Sequence, residues 1–256
     1  MKVVPLYWKP PTGDDYWSRA RLPFTCLIFI APLLIAYEFG VQELGAGHPE
    51  LLRNGADHWM RSGLSWMGIT QFWVLPVLLV VGLLAWQIRG QYSWKIGPET
   101  LVGMAAESLL FAICLIVVGQ LQDLAFQHCE SIGPLRTGGA PTSNGWSRAI
   151  SFLGAGIYEE TLFRLCLLPV CYGLLRLLLL PPKWAAGFSV PVTALVFAAA
   201  HYIGPAADPY TVFSFTFRTL AGLLFATLFL LRGFGVAVGC HALYDILVGV
   251  VLEFSR

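Results

Sequence analysis

The chain has 256 residues, of which 57% are hydrophobic and only 12% are charged, and its net charge is +1. Because a soluble domain carries about twice that charged fraction, the composition predicts an all-α polytopic membrane protein. The balanced charge, without a basic run, excludes nucleic acid as a partner and leaves the lipid bilayer and molecules met within it.

The predicted elements begin with a juxtamembrane segment, residues 1–22, which is rich in the Tyr and Trp side chains that settle at the level of the lipid headgroups. Residues 23–256 are predicted to form a single membrane-embedded domain. Its apolar segments lie at about 23–41, 68–86, 101–121, 146–180, 184–202, 212–231 and 234–252. A polar loop with Asp57 and Arg61 separates the first two segments. The prediction is a helical bundle with seven to eight transmembrane helices.

The fourth apolar segment leaves the number of spans open. It is long enough for one tilted helix or for a span plus a half-span, and Pro169 marks a kink or break within it. In the seven-span arrangement, the loops on the side of the amino terminus hold more Lys and Arg than those on the other side. This asymmetry predicts a cytoplasmic amino terminus, in a bacterial inner membrane.

The fourth segment also contains an unusual group of charges in the sequence G-I-Y-E-E-T-L-F-R, which ends at Arg164. Each ionised side chain near the middle of a bilayer costs about 2.5 kcal/mol or more. On a helix, Glu160 and Arg164 share one face and form a favourable pair. Glu159 lies roughly 100° away around the helix axis, so the arginine does not neutralise it. The spacing therefore predicts a structural pair and a free carboxylate.

Two further segments carry polar residues at helical spacing. The fifth ends in F-A-A-A-H, with Phe197 and His201 on one face, and the seventh contains H-A-L-Y-D, with His241 and Asp245 on one face. Because polar groups within a membrane bundle face inward, these residues are predicted to share one cavity with Glu159. Counted from the starts of parallel spans, however, the two histidines differ in depth by roughly 15 Å.

The chemistry that fits this set of residues is hydrolysis by an activated water molecule. Glu159 is the candidate general base, with His201 beside it to hold the water, while His241 and Asp245 bind the substrate carbonyl and stabilise the oxyanion. A second assignment uses His201, His241 and the carboxylate of Asp245 or Glu159 as zinc ligands. Both assignments lead to hydrolysis, and the metal-free one, without a cofactor, is favoured.

The three motifs E-E-T-L-F-R, F-A-A-A-H and H-A-L-Y-D, in this order, resemble those of the CAAX-processing and bacteriocin-processing (Abi or CPBP) intramembrane endopeptidases, which include the Ras-converting CAAX endopeptidase. The resemblance covers about residues 146–252, the predicted catalytic core. It implies a multi-helix bundle, commonly of eight spans, and a glutamate-dependent peptidase that cuts near the carboxyl terminus of membrane-associated substrates. Glu159 would be its base and His201 the partner, with His241 and Asp245 as the oxyanion pair. Asp245 stands where the eukaryotic branch has Asn.

The predicted function is therefore an intramembrane endopeptidase that acts on a membrane-associated protein or peptide. The alternative is a non-proteolytic immunity or assembly factor of the same fold that binds a membrane peptide. Arg218 is a candidate for contact with a substrate carboxylate, although it could instead meet Glu160 or extend to the membrane interface. Glu38 and Glu107, the other acids within predicted spans, are expected to form hydrogen bonds between helices.

Overall fold

A computed structural model describes residues 13, 15–45, 47–127, 145–204 and 207–251, and every regular element among them is helical. The prediction of an all-α protein is therefore confirmed. The α-helices are α1 (Tyr16–Arg19), α2 (Pro23–Leu44), α3 (Gly55–Trp66), α4 (Val74–Gly90), α5 (Pro98–Gln127), α6 (Gly145–Gly154), α7 (Leu168–Leu177), α8 (Pro182–Ala200), α9 (Val212–Arg232) and α10 (Phe234–Ile246). Three π-helical stretches are π1 (Ala155–Glu159), π2 (Thr161–Leu167) and π3 (Leu247–Val251), and a 3-10 turn spans Pro49–Leu51.

Among the residues that the structure describes, five helical segments are long and apolar enough to cross a membrane, namely α2, α5, α8, α9 and the combined α10 and π3. The shorter apolar helix α4 and the long element from α6 to α7 account for the other two predicted segments. The chain is therefore an integral membrane protein with the architecture of a polytopic helical bundle. The division into residues 1–22 and a single following domain stays a prediction.

The fourth apolar segment forms one uninterrupted helix, in which α6, π1, Glu160, π2 and α7 follow one another without a non-helical residue. The expected break at Pro169 is wrong. The helix changes from π to α type at Leu168, which places Pro169 in the first turn of α7. Pro169 has no N–H group to donate to the preceding turn, and the chain nevertheless stays helical through this residue.

The segment that contains Asp57 was expected to be a polar loop, and this expectation is also wrong. It forms the amphipathic helix α3, in which the side chain of Asn54 caps the amino terminus by accepting a hydrogen bond of 2.7 Å from the Asp57 amide. Asp57 is fully buried, whereas Trp66 at the other end of the helix is 92% exposed. With 12 residues, α3 is too short to span a bilayer, which requires about 20 residues.

Helix α10 lies in the centre of the bundle, since all of its residues from Phe234 to Ala242 are buried. It packs against α2, α5, α9 and π1. Close packing on α5 depends on Gly239, where an added Cβ would lie only 2.4 Å from the Ser108 hydroxyl oxygen. Small residues of this kind let transmembrane helices approach closely. The most buried helix is thus the one that carries the H-A-L-Y-D motif.

Glu107 of α5 forms hydrogen bonds with another helix, as expected, because Nε of Arg232 donates to both of its carboxylate oxygens, at 3.2 and 3.0 Å. Its Oε2 atom lies 2.9 Å from Nη2 of Arg232, at the end of α9. The same guanidinium lies over the ring of Trp17 in α1, 3.9 Å from the ring centroid. Arg232 thereby joins α1, α5 and α9.

Candidate active site

The three polar motifs meet at one place in the bundle. Glu159 ends π1, His201 follows directly after α8, and His241 lies in the buried part of α10. Oε2 of Glu159 is 3.6 Å from Nε2 of His201 and 3.8 Å from Nε2 of His241. The structure therefore brings the carboxylate and both histidines together, as the single-cavity prediction requires.

The carboxylate of Glu159 is distinguished by what it does not bind. Its Oε2 atom is buried and accepts no hydrogen bond from the described residues. Distances of 3.6 and 3.8 Å to the imidazole nitrogens are too long for direct hydrogen bonds. A buried carboxylate oxygen without a partner is costly, so this atom is available to a water molecule or to a substrate.

In each of the two imidazoles, the hydrogen bond made by Nδ1 determines whether Nε2 is a donor or an acceptor. Nδ1 of His201 lies 2.9 Å from the carbonyl oxygen of Phe197. Because a carbonyl only accepts hydrogen bonds, Nδ1 carries the hydrogen, and Nε2 of the neutral ring is a free acceptor. Nδ1 of His241 lies 2.8 Å from Oε1 of Glu160, a bond in which the ring again donates to the carboxylate. Both Nε2 atoms are thus directed towards Glu159.

Glu160 occupies a different environment from its neighbour Glu159. Its Oε2 atom lies 3.1 Å from Nε of Arg164, and both side chains are almost completely buried. Arg164 also donates a hydrogen bond of 3.1 Å to the carbonyl oxygen of Gly222 in α9. Glu160 therefore contacts both Arg164 and His241. Through these contacts and the bond to Gly222, Glu160 and Arg164 together hold π2, α9 and α10 in a fixed arrangement.

Asp245 lies one turn after His241, with Oδ2 3.5 Å from Nε2 of the imidazole. This distance is at the limit of a hydrogen bond. The side chain of Asp245 is 22% exposed, compared with 5% for His241. Asp245 therefore lies on the more exposed side of His241.

Aromatic rings enclose the buried side of the site. The ring of Phe197 lies 4.6 Å from Cζ of Arg164 and contacts the imidazole of His201 edge to face, with centroids 4.9 Å apart. Phe225 of α9 stacks on His241 with centroids 4.4 Å apart and an angle of 12° between the rings. Sequence reasoning identified Phe197 through its motif but missed Phe225, because a lone apolar aromatic on an apolar helix carries no distinguishing signal.

The side chains of His201 and His241 meet although the segment boundaries place the two residues at different depths. The last part of α8 packs against the middle of α9, where a Cβ on Gly222 would lie 3.1 Å from Cα of Ala194. His241 lies beside Phe225, less than one turn further along α9 than Gly222. Nε2 of both imidazoles nevertheless lies within 3.8 Å of Oε2 of Glu159, so the two side chains meet in spite of the offset of roughly 15 Å that the segment boundaries give.

One further glycine allows the catalytic motifs to approach each other. Gly156 in π1 packs directly on α10, where an added Cβ would lie 2.8 Å from both the backbone nitrogen and the Cβ of Ala242. Ala242 follows His241, so this contact sets the separation between π1 and the histidine. Gly156, the first residue of the G-I-Y-E-E sequence, thus contributes to the site through its packing on α10.

Arg218 does not contact Glu160, whose partners are Arg164 and His241. It forms an ion pair with Asp208, in the connection after α8, and its guanidinium carbon lies 5.1 Å from the ring centroid of Tyr202. The Asp208 amide donates a hydrogen bond of 3.0 Å to the carbonyl of His201, which directly follows α8. Because Arg218 is paired with Asp208, it lies beside the carboxyl-terminal end of α8.

The side chains at the site are of the types that zinc prefers, namely imidazole and carboxylate. Within the ranges that the structure describes, however, no three His, Cys, Asp or Glu side chains form a group arranged to hold a metal ion. The zinc assignment of His201, His241 and Asp245 or Glu159 stays a prediction, and no step below passes through a metal.

Comparison with known proteins gives one family. A family model described as type II CAAX prenyl endopeptidase Rce1-like matches residues 141–247, which include all three motifs. No curated protein matches the chain. No solved structure matches it either. The resemblance seen in the motifs is thus confirmed, and residues 141–247 are similar to those of the Rce1-like, type II CAAX prenyl endopeptidases.

Proposed function

We propose that this protein is an intramembrane endopeptidase that hydrolyses a peptide bond near the carboxyl terminus of a membrane-associated protein or peptide. One observation carries the proposal. The buried, unpartnered Oε2 of Glu159 faces Nε2 of His201 and Nε2 of His241, which come from two other helices. The Rce1-like match supports the same class of reaction.

The first step is activation of a water molecule between Glu159 and His201. The two acceptor atoms are 3.6 Å apart, so one water can lie about 2.8 Å from each. It donates one hydrogen to the carboxylate and the other to the neutral imidazole, which leaves an oxygen lone pair free for attack. Glu159 takes the proton as the bond to the substrate carbonyl carbon forms.

The second step is stabilisation of the oxyanion. Nδ1–H of His241 is occupied by Glu160, so Nε2 donates to the oxyanion when the ring carries both protons. Asp245 contributes a second donor only in its protonated form, because an ionised carboxylate has no hydrogen to donate. Glu159 then returns its proton to the departing amine, and the peptide bond breaks.

The remaining residues hold this arrangement. Arg164 fixes Glu160, and Glu160 fixes His241, so the oxyanion donor is oriented by a buried chain of charged groups. Phe197 supplies its carbonyl oxygen to His201 and its ring to Arg164. Preorganised donors of this kind lower the barrier because they need no rearrangement as charge develops.

The substrate is proposed to end close to Arg218. This arginine lies beside the carboxyl-terminal end of α8, and its ion-pair partner, Asp208, is 25% exposed. A terminal carboxylate of the substrate can replace Asp208 as the partner of the guanidinium, in a charge-assisted bond. The lipid bilayer is the second partner, and the excess of Lys and Arg supports a cytoplasmic amino terminus in a bacterial inner membrane.

The test of this function is the substitution Glu159→Gln. An internally quenched, prenylated peptide that ends in a CAAX sequence should be cleaved by the purified protein and not by this variant, since the amide cannot take a proton from water. Glu99→Gln is the matched control, because Glu99 is 68% exposed and lies in α5 away from the site. Both variants should insert and unfold like the wild type.

Metal content is measured on the same samples. Cleavage by metal-free protein, in the presence of a chelator, is the expected result. Full activity of Glu159→Gln would refute the assignment of the base. Stoichiometric zinc that is lost together with activity would refute the metal-free mechanism, and specific binding of the peptide without cleavage would favour an immunity or assembly factor.

A further inference from the structure

A second cluster of charged side chains lies in the amino-terminal half, outside the residues that match the family. Glu38 projects from α2, while Arg53, Asp57 and Arg61 come from α3 and the turn before it. Asp57 and Arg53 are almost fully buried, and Nη1 of Arg53 lies 2.7 Å from Oδ2 of Asp57. Two arginines and two acids balance each other, so the cluster has no net charge.

The cluster is closely connected internally. Arg61 forms ion pairs with both acids, and its Nη2 atom lies 2.9 Å from Oε1 of Glu38. The hydroxyl of Tyr37 donates a hydrogen bond of 2.7 Å to Asp57. Removing one member of a buried charged group leaves its partner uncompensated, so the relative positions of α2 and α3 are tightly constrained.

This cluster contacts the catalytic turn through Tyr158. The Tyr158 hydroxyl donates a hydrogen bond to Oε1 of Glu38, and its fully buried ring packs edge to face on Tyr37, with centroids 5.5 Å apart. Tyr158 directly precedes Glu159, and consecutive helical residues point in directions roughly 100° apart. One side of π1 is thus bound to the cluster while the other faces the histidines.

A π-helical turn needs such support. π-Helices are rare and occur as short stretches inside α-helices, often at functional sites. Their geometry is therefore maintained by contacts with the rest of the protein. For π1, these contacts are α10 on the side of Gly156 and α3 with Glu38 on the side of Tyr158.

We propose that the hydrogen bond between Tyr158 and Glu38 sets the position of the Glu159 carboxylate, so that Tyr158 and Glu38 are positioning residues of the site. The amino-terminal half of the chain thereby controls the rate of the chemical step. The proposal rests on the proposed role of Glu159 as the base. A displacement of the base by a fraction of an ångström separates it from the water and the carbonyl that it must reach together.

The test compares Tyr158→Phe with Tyr37→Phe. Each variant keeps its ring and loses one buried hydroxyl, and each leaves the acid paired with an arginine, since Glu38 retains Arg61 and Asp57 retains Arg53. With the prenylated CAAX peptide, Tyr158→Phe should lower kcat about tenfold with an unchanged KM. Tyr37→Phe should keep the wild-type kcat, although its thermal stability falls to a similar extent.

A second measurement does not depend on proteolysis. Glu159 is labelled with a hydrophobic carbodiimide, which reacts with protonated carboxyl groups, and the extent of labelling is followed by mass spectrometry as a function of pH. The profile should change in Tyr158→Phe and coincide with that of the wild type in Tyr37→Phe. Unaltered labelling in Tyr158→Phe, or equal losses of kcat in the two variants, would overturn the proposal. If the wild type does not cleave the peptide, the proposed function fails, while the labelling still decides the positioning.

Discussion

Asp245 is the residue at which this site departs from the eukaryotic members of the family that it resembles, and its protonation sets its chemical role. An asparagine can donate a hydrogen bond at any pH, whereas an aspartate donates only when protonated. Its Oδ2 atom lies 3.5 Å from Nε2 of His241, on the open side of the ring. A donor at this point reaches the oxyanion together with the imidazole.

Asp245→Asn is therefore expected to remain active, and Asp245→Ala to lose activity by about 10²-fold, as for loss of an oxyanion donor. The wild-type rate should fall at high pH as Asp245 ionises, and that part of the decrease should be absent in Asp245→Asn. The kcat of the three proteins, measured across a range of pH, checks this. An inactive asparagine variant would show that the carboxylate itself is required.

Arg218 offers a prediction about specificity. If its guanidinium binds the terminal carboxylate of the substrate, Arg218→Gln should raise KM about tenfold for a peptide with a free carboxylate, the effect of one charge-assisted hydrogen bond. A peptide of the same sequence with a terminal amide should be cleaved equally by both proteins. Equal losses for the two peptides would instead mean that Arg218 acts through its ion pair with Asp208 and the connection after α8.

At the scale of the helices, the contact between π1 and α10 determines whether the motifs can meet. In Gly156→Ala, the added methyl group collides with the backbone of Ala242, and overpacking of this kind costs about 1–3 kcal/mol. We expect a lower unfolding temperature and a lower kcat, because π1 moves away from His241. Gly173→Ala, in α7 of the same long helix, has open space around the new methyl group and is the control. Equal behaviour of the two variants would exclude the packing role.

The local part of this arrangement was predictable from the sequence. The spacing of four residues placed Glu160 with Arg164 on one face, and the structure has that pair. The π-helical turns were not predictable, since no residue type marks the extra residue that such a turn contains. The helix α3 was also missed, because its charged residues appear solvated until Glu38, some twenty positions earlier, is seen to pair with Arg61.

At the scale of the whole molecule, hydropathy located the apolar segments, since the requirement for apolar residues in a bilayer acts on each helix separately. The relative depth of the helices is a property of their packing. The meeting of His201 and His241 could not be judged from segment boundaries, because it depends on how their side chains and that of Glu159 pack between the helices. The contribution of α2 and α3 to the site was likewise hidden, as these helices carry none of the three motifs.

The π-helical stretches π1 and π2 limit where single residues can be inserted into this protein or deleted from it. One residue of helix corresponds to roughly 100° of rotation and 1.5 Å of rise. Deletion of one residue from π1 or π2 would restore an α-helical register and turn the carboxylates away from the histidines, although every catalytic side chain would still be encoded. We therefore expect that insertions and deletions of single codons within these stretches are not tolerated.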